Sequence, residues 1–173
     1  MRTCCVLLLS GLLFCLLPSC KKDAPPPDFS QITVTDSTCL LIGDTDNTDW
    51  TFDDYWMTGE YQLLKFIDTN AVATDTSIGW VQIHALCPNP NNGIFIWDFA
   101  TEYPAKMKLA VVNTKFRVLY YEAITLTGGS SAVSYDFRYN HSFHQGENYR
   151  IYYGFYNSRD SLYYKGHGDF RTE

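Results

Sequence analysis

The chain has 173 residues, 46% of them hydrophobic and 16% aromatic, with 13 basic against 19 acidic side chains and a formal charge of −6. Its length suits one ordinary globular domain, and the composition excludes a disordered acidic tail, a collagen-like repeat and a basic nucleic-acid binder. The acidic balance disfavours any polyanionic partner, nucleic acid included.

The chain opens with Arg2 and a mostly apolar run over residues 6–17, followed by Pro18, Ser19, Cys20, Lys21, Lys22 and Asp23. The run is shorter than the roughly 20 residues a membrane-spanning helix needs. It has the length and the polar ending of a secretory signal. Leu17-Pro18-Ser19-Cys20 resembles the lipobox of bacterial lipoproteins. The resemblance implies a lipoprotein signal peptide over residues 1–19, a diacylglycerol thioether on Cys20, and Cys20 as the first residue of the mature chain. A thiol suits that reaction because a soft, easily ionised sulfur is the nucleophile. Acyl chains at Cys20 hold a soluble domain on a bilayer without a spanning helix, each buried methylene contributing about 0.8 kcal/mol. The junction from Ser19 to Asp23 is similar to those of Bacteroidetes lipoproteins. That likeness implies the cell envelope, at the outer membrane, on its periplasmic face or at the cell surface.

Residues 20–35 read as the lipidated N-terminus and a Pro-rich tether, because Pro25, Pro26 and Pro27 favour polyproline II over helix or central strand. Residues 36–79 form an N-terminal segment with short strands and a helix. Two apolar runs, at 32–34 and 39–42, are compatible with strands. Residues 44–49 are dense in oxygen ligands, yet an EF-hand count from Asp44 puts Asp49 where Gly is needed and Tyr55 where Glu is needed. An Asx-rich turn is the better reading. Over residues 53–68, apolar side chains at 56, 57, 63, 64 and 67, with Thr51 or Asp53 as N-cap, predict one short helix despite Gly59. Trp50, Tyr55 and Trp56 either line a ligand surface or pack onto a sheet.

Residues 80–173 change to strands and turns. Alternation predicts strands at 81–86, at 94–99 with Phe95, Trp97 and Phe99 on one face, and then at 107–111, 116–126, 135–139, 149–156 and 162–165. Asn113-Thr114-Lys115 and residues 157–160 are turns, and residues 128–131 a loop. About seven strands with turns at roughly 8–12-residue spacing predict an all-β, immunoglobulin-like antiparallel β-sandwich behind a short N-terminal segment carrying one small helix.

Three of the six cysteines fall in the signal and Cys20 carries lipid, leaving Cys39 and Cys87 as a disulfide or as two buried thiols. Closing that loop of about 48 residues is worth roughly 4 kcal/mol in the chain-entropy account. His141 and His144 are three apart, but no cysteine or carboxylate lies at ligand spacing beside them, so they and His84 and His167 read as exposed loop histidines. Asp53-Asp54 resembles a carboxylate pair, yet adjacent side chains point apart. No Gly-x-Ser-x-Gly elbow, P-loop or zinc-protease helix occurs, so the reading is non-enzymatic, with no metal and no cofactor. The last hairpin is rich in tyrosine. Alternation turns Tyr149 and Tyr153 inward, and Tyr152 and Tyr156 outward beside Tyr163 or Tyr164. Tyr152, Tyr156 and Tyr163 are therefore a candidate interaction surface, able to stack on sugars or meet a protein, with ordinary cross-strand packing as the alternative.

Residues 84–100 resemble the opening of the type IX secretion C-terminal sorting domain of Bacteroidetes: a strand, the turn Pro88-Asn89-Pro90, the polar pair Asn91-Asn92, Gly93, and a second strand. Prolines fix φ, asparagines cap the turn through their own side chains, and Gly93 can take positive φ. The hairpin over residues 109–121 and the stretch from Gly146 to Ile151 follow the same outline, so the resemblance covers about half of the chain. It implies a β-sandwich, a turn suited to crossing from one sheet to the next, and recognition by an outer-membrane translocon. Tyr149 matches a tyrosine corner. The chain departs from the family in its lipobox and in the polar ending over residues 165–173. The leading reading is a non-enzymatic cell-envelope lipoprotein presenting a tethered β-sandwich for binding or assembly. Its partners are the membrane, through the N-terminal lipid, and an envelope protein or glycan. The alternative is a type IX secretion substrate or remnant whose sandwich acts as the sorting signal.

Overall fold

In a computed structural model of the protein, the described residues are 28–67 and 79–173. The signal run, Cys20 and the three consecutive prolines lie outside them, as do residues 68–78.

The described chain forms one helix, α1 (Thr58–Leu63), and seven strands: β1 (Val81–Ile83), β2 (Ile94–Thr101), β3 (Ala105–Asn113), β4 (Val118–Leu126), β5 (Gly129–Asp136), β6 (Asn148–Tyr156) and β7 (Leu162–Arg171). One sheet has the order β1-β2-β5 and the other β4-β3-β6-β7, and every pairing is antiparallel. The chain is thus an all-β, immunoglobulin-like sandwich with one short helix. Period-two alternation fills the space between the sheets. Phe95, Trp97 and Phe99 of β2 meet Met107, Leu109 and Val111 of β3 and Tyr149, Ile151, Tyr153 and Phe155 of β6, all buried. At roughly 1.5–3 kcal/mol for each large apolar side chain fully buried, this layer is the main stabilising term. The Trp97 ring lies 5.2 Å from Phe99 and 5.1 Å from Tyr153, centroid to centroid. Where the chain crosses from β5 to β6, the Tyr149 hydroxyl accepts the His144 N–H at 2.6 Å, the tyrosine corner expected there.

The other face of the larger sheet is closed to water over β6 and the adjoining part of β3, while Tyr121, Ala123 and Thr125 of β4 stay exposed on it. Ala110, Val112 and Tyr152 pack there against Phe29, Trp56, Leu64 and Ile67, so residues 28–67 form a cover whose two ends lie across this face, while Trp50 between them inserts into the core between the sheets. The cover also follows the edge of β7, where Trp50 N–H donates to the His167 carbonyl at 2.7 Å and Asp53 N–H to the Lys165 carbonyl at 2.9 Å. Two glycines allow this approach: a Cβ on Gly166 would stand 2.0 Å from the Thr51 carbonyl oxygen, and one on Gly168 2.3 Å from the Trp50 ring.

Several expectations shift accordingly. The tether does not extend to residue 35, since Phe29, Thr33 and Thr35 are buried against the body. The strands expected at 32–34 and 39–42 reduce to a bridge between Thr35 and Leu41, because the Asp36 carboxylate gathers Thr38 and Leu40 N–H into a tight turn. Leu40, Leu41 and Ile42 are left exposed. The helix starts at Thr58, because Glu60 reaches back to the Met57 N–H at 2.5 Å while Asp53 is occupied elsewhere. β5 begins within the expected loop, at Gly129. β7 runs to Arg171 rather than Lys165, for its Gly166 and Gly168 face the core and its polar residues face the cover. Among the described residues no helix is long and apolar enough to cross a membrane.

Candidate functional site

The covered face of β6 and β7 carries a polar layer. Register places Arg150 opposite Asp169 and Tyr152 opposite His167. Arg150 meets Asp169 in a two-pronged pair, Nε to Oδ1 at 2.6 Å and Nη2 to Oδ2 at 2.7 Å, with both side chains almost wholly buried. Burial pushes the Asp169 carboxyl up, and the bonds from Arg150 pull against that rise. Nη2 also donates to the Asp28 carbonyl, and the guanidinium lies 4.8 Å from the Phe29 ring centre. The ion pair therefore seats the first residues of the cover.

Next along β7, His167 Nδ1 pairs with Asp53 Oδ2 at 2.7 Å, and the same oxygen accepts the Trp56 indole N–H at 2.8 Å. Glu60 accepts the Tyr152 hydroxyl at 2.6 Å. Burial is the main reason the Tyr152 hydroxyl holds its proton well above the usual phenol range. Lys165 donates to the Tyr61 hydroxyl and lies 4.8 Å from the Trp56 ring centre. Above this layer is a cleft of about 460 Å³. Trp56, Arg150, Asp53 and His167 form its inner part, while Gln31 and Tyr55 stand exposed at its rim. Tyr55 is 69% exposed, its ring edge-on to Tyr61 at 6.3 Å. Because Asp53 takes Nδ1, the other ring nitrogen of His167 is the one left for a ligand. Among the described residues no hydroxyl or thiol is hydrogen-bonded to the His167 ring. The arrangement can orient and bind a polar molecule.

The tyrosine stripe is not a surface. Tyr152 and Tyr156 are 0% and 2% exposed, and Tyr163 is half-buried against the sandwich core. Alternation does put Tyr152 on the outer face, but residues 56–67 cover that face, and Tyr152 stands opposite His167 rather than beside Tyr163 or Tyr164. Burial pushes the Tyr163 phenol up to about 12. Cys39 and Cys87 form a disulfide with Cα atoms 5.1 Å apart. Pro88 to Gly93 follows it directly. Asn89 is fully buried: its Nδ2 donates to the carbonyls of Thr33 at 2.8 Å and Asp169 at 3.0 Å, its Oδ1 accepts the Arg171 N–H, and its backbone pairs with Thr35. Asn91 and Asn92 accept the N–H groups of Gly93 and Ile94, and Gly93 has φ of +90°. The stretch does not carry the chain from sheet to sheet, since β1 and β2 share one. It ties the two together, Cys87 bridging to Ile96 and Asn91 to Thr172.

His84, His141 and His144 are exposed, whereas His167 lies within β7. Of the adjacent carboxylates, Asp54 is exposed and Asp53 joins His167. That pair is 114 residues apart in the chain and escaped sequence reasoning. The available signal was Gly166-His167-Gly168, since glycines inside a strand mark close approach of other backbone. Among the described residues no three His, Cys, Asp or Glu side chains converge to hold a metal ion.

No protein-family model matches the chain, and no curated protein matches it. Among solved structures it is similar to a glycosyl hydrolase family 2 (GH2) member from Bacteroides cellulosilyticus, at 8% identity and a TM-score of 0.31. The match covers 55% of this chain and 14% of that one, so this chain spans only a small part of the other's length.

Proposed function

We propose that the protein is a non-enzymatic lipoprotein of the cell envelope, anchored through lipid on Cys20, whose sandwich binds a ligand in the cleft over Asp53 and His167. The observation that carries the reading is the Cys39–Cys87 disulfide. Disulfides persist in oxidising compartments, which an exported chain enters. Phe29 is already buried against the body, so a leash from Cys20 ends before it. The stretch that resembles the sorting domain has its Asn89 and Asn91 buried as ties within the fold, which favours binding over sorting. Palmitate labelling of cells expressing the wild type and Cys20→Ala, followed by detergent phase partitioning, tests the anchor. The wild type takes label and enters the detergent phase, and the variant does neither. An unlabelled wild type, or a purified native chain that begins at Met1, refutes the proposal.

A further inference from the structure

The cleft over Asp53 and His167 offers acceptors more than donors. His167, its Nδ1 held by Asp53, lines the cleft together with the Asp53 carboxylate and the Gln31 amide. Such a lining calls for a ligand rich in donors. Asp28, Asp46, Asp53 and Glu60 all border the cleft and exclude an anion. A cation is not called for either, because each of these carboxylates has donors within the protein. Asp28 takes Ser30 N–H, Asp46 takes Thr48, Asp53 takes Trp56 and His167, and Glu60 takes Met57 and Tyr152. Arg150 adds a positive charge in the same lining. Hydroxyl groups remain, since each donates and accepts without charge.

The second observation is Tyr55. A ring 69% exposed, propped edge-on against Tyr61, leaves an aromatic face open beside directed hydrogen-bonding groups. That combination matches a molecule with an apolar ring face and a hydroxyl rim. We infer that the cleft binds a neutral saccharide, with one sugar ring stacked on Tyr55 and its hydroxyls bonded to His167, Asp53 and Gln31. This deepens the binding role proposed above and rests on it, though not on the lipid at Cys20.

The full-length protein in detergent is applied to a glycan array carrying neutral, acidic and amino sugars. The best-bound neutral glycan is then titrated calorimetrically into the wild type, Tyr55→Ala, Tyr55→Phe and Gln31→Ala. Both positions are exposed, so the melting temperature stays at the wild-type value and reports an intact fold. Neutral glycans bind, Tyr55→Ala weakens them by about tenfold or more, Gln31→Ala weakens them less, and Tyr55→Phe restores affinity. A silent array, a preference for acidic or amino sugars, or binding that ignores Tyr55→Ala overturns the inference. Palmitate labelling is untouched by any of these failures, and a failed labelling leaves the array result standing.

Discussion

Asp49 is buried, accepting the backbone N–H of Asp169 at 3.0 Å, and its carboxyl is pushed up to about 8, first by burial and then by the charges of Asp169 and Asp46. The folded chain therefore holds this proton more tightly than the unfolded chain, whose ordinary carboxyl value is 3.8. A raised acid contributes stability that is complete below the unfolded value and is lost as pH climbs through the folded one. The stability of the wild type, read from thermal melting, should accordingly fall between about pH 4 and pH 8 by an amount on the order of a few kcal/mol. Asp49→Asn keeps an acceptor for Asp169 without the charge, so its melting should change less over that range and exceed the wild type at the upper end. Equal slopes in the two proteins would remove Asp49 from the account. Asn89 makes the complementary case, because nothing there titrates. Asn89→Ala strands two buried carbonyls and the Arg171 N–H, a loss of about 3 kcal/mol or more in urea unfolding. A loss under about 1 kcal/mol would mean that water replaces the amide.

The element that decides how the sandwich meets its surroundings is the cover, residues 28–67. Its fit to β7 depends on Gly168, where a Cβ would strike the Trp50 ring at 2.3 Å. Gly168→Ala should push Trp50 out, cost roughly 1–3 kcal/mol, red-shift the tryptophan emission and open residues 44–55 to protease. Unchanged emission would show that the segment has room to give. The strands themselves were legible in the sequence wherever bulky residues alternate, as at Phe95, Trp97 and Phe99 or at Met107, Leu109 and Val111. Period two also placed Tyr152 on the correct side of its sheet. It is silent on whether another part of the chain lies over that side, which is why an apparent binding stripe proved to be core. β7 was legible only in its first residues, because Gly166, His167, Gly168 and Asp169 carry none of the apolar signal of a strand. The cleft was legible only in part. Tyr55 and Trp56 stood out as aromatics, but the pairing of Asp53 with His167 depends on tertiary approach across 114 residues, which no local pattern encodes.

For the molecule as a whole, the Cys39–Cys87 disulfide closes a separation of 48 residues and fastens the cover to the end of the smaller sheet's first strand region. Replacing both cysteines with serine should lower stability by about 4 kcal/mol, read from denaturant midpoints under conditions where the native bond stays oxidised. A shift below about 1 kcal/mol would indicate that residual structure already restrains the unfolded chain. The same covalent tie has a mechanical side. Tension applied at Asp28 first shears the bonds that Arg150 and Asn148 make to the backbone of Asp28 and Phe29. It then unzips Thr33 and Thr35 from Asn89. At Cys39 the unravelling halts, because the load passes through sulfur to Cys87 and is borne by both sheets together. Only residues 28–38 can peel away, so tension strips Asp28 and Gln31 from the wall of the cleft while Asp53, Trp56 and His167 stay in place.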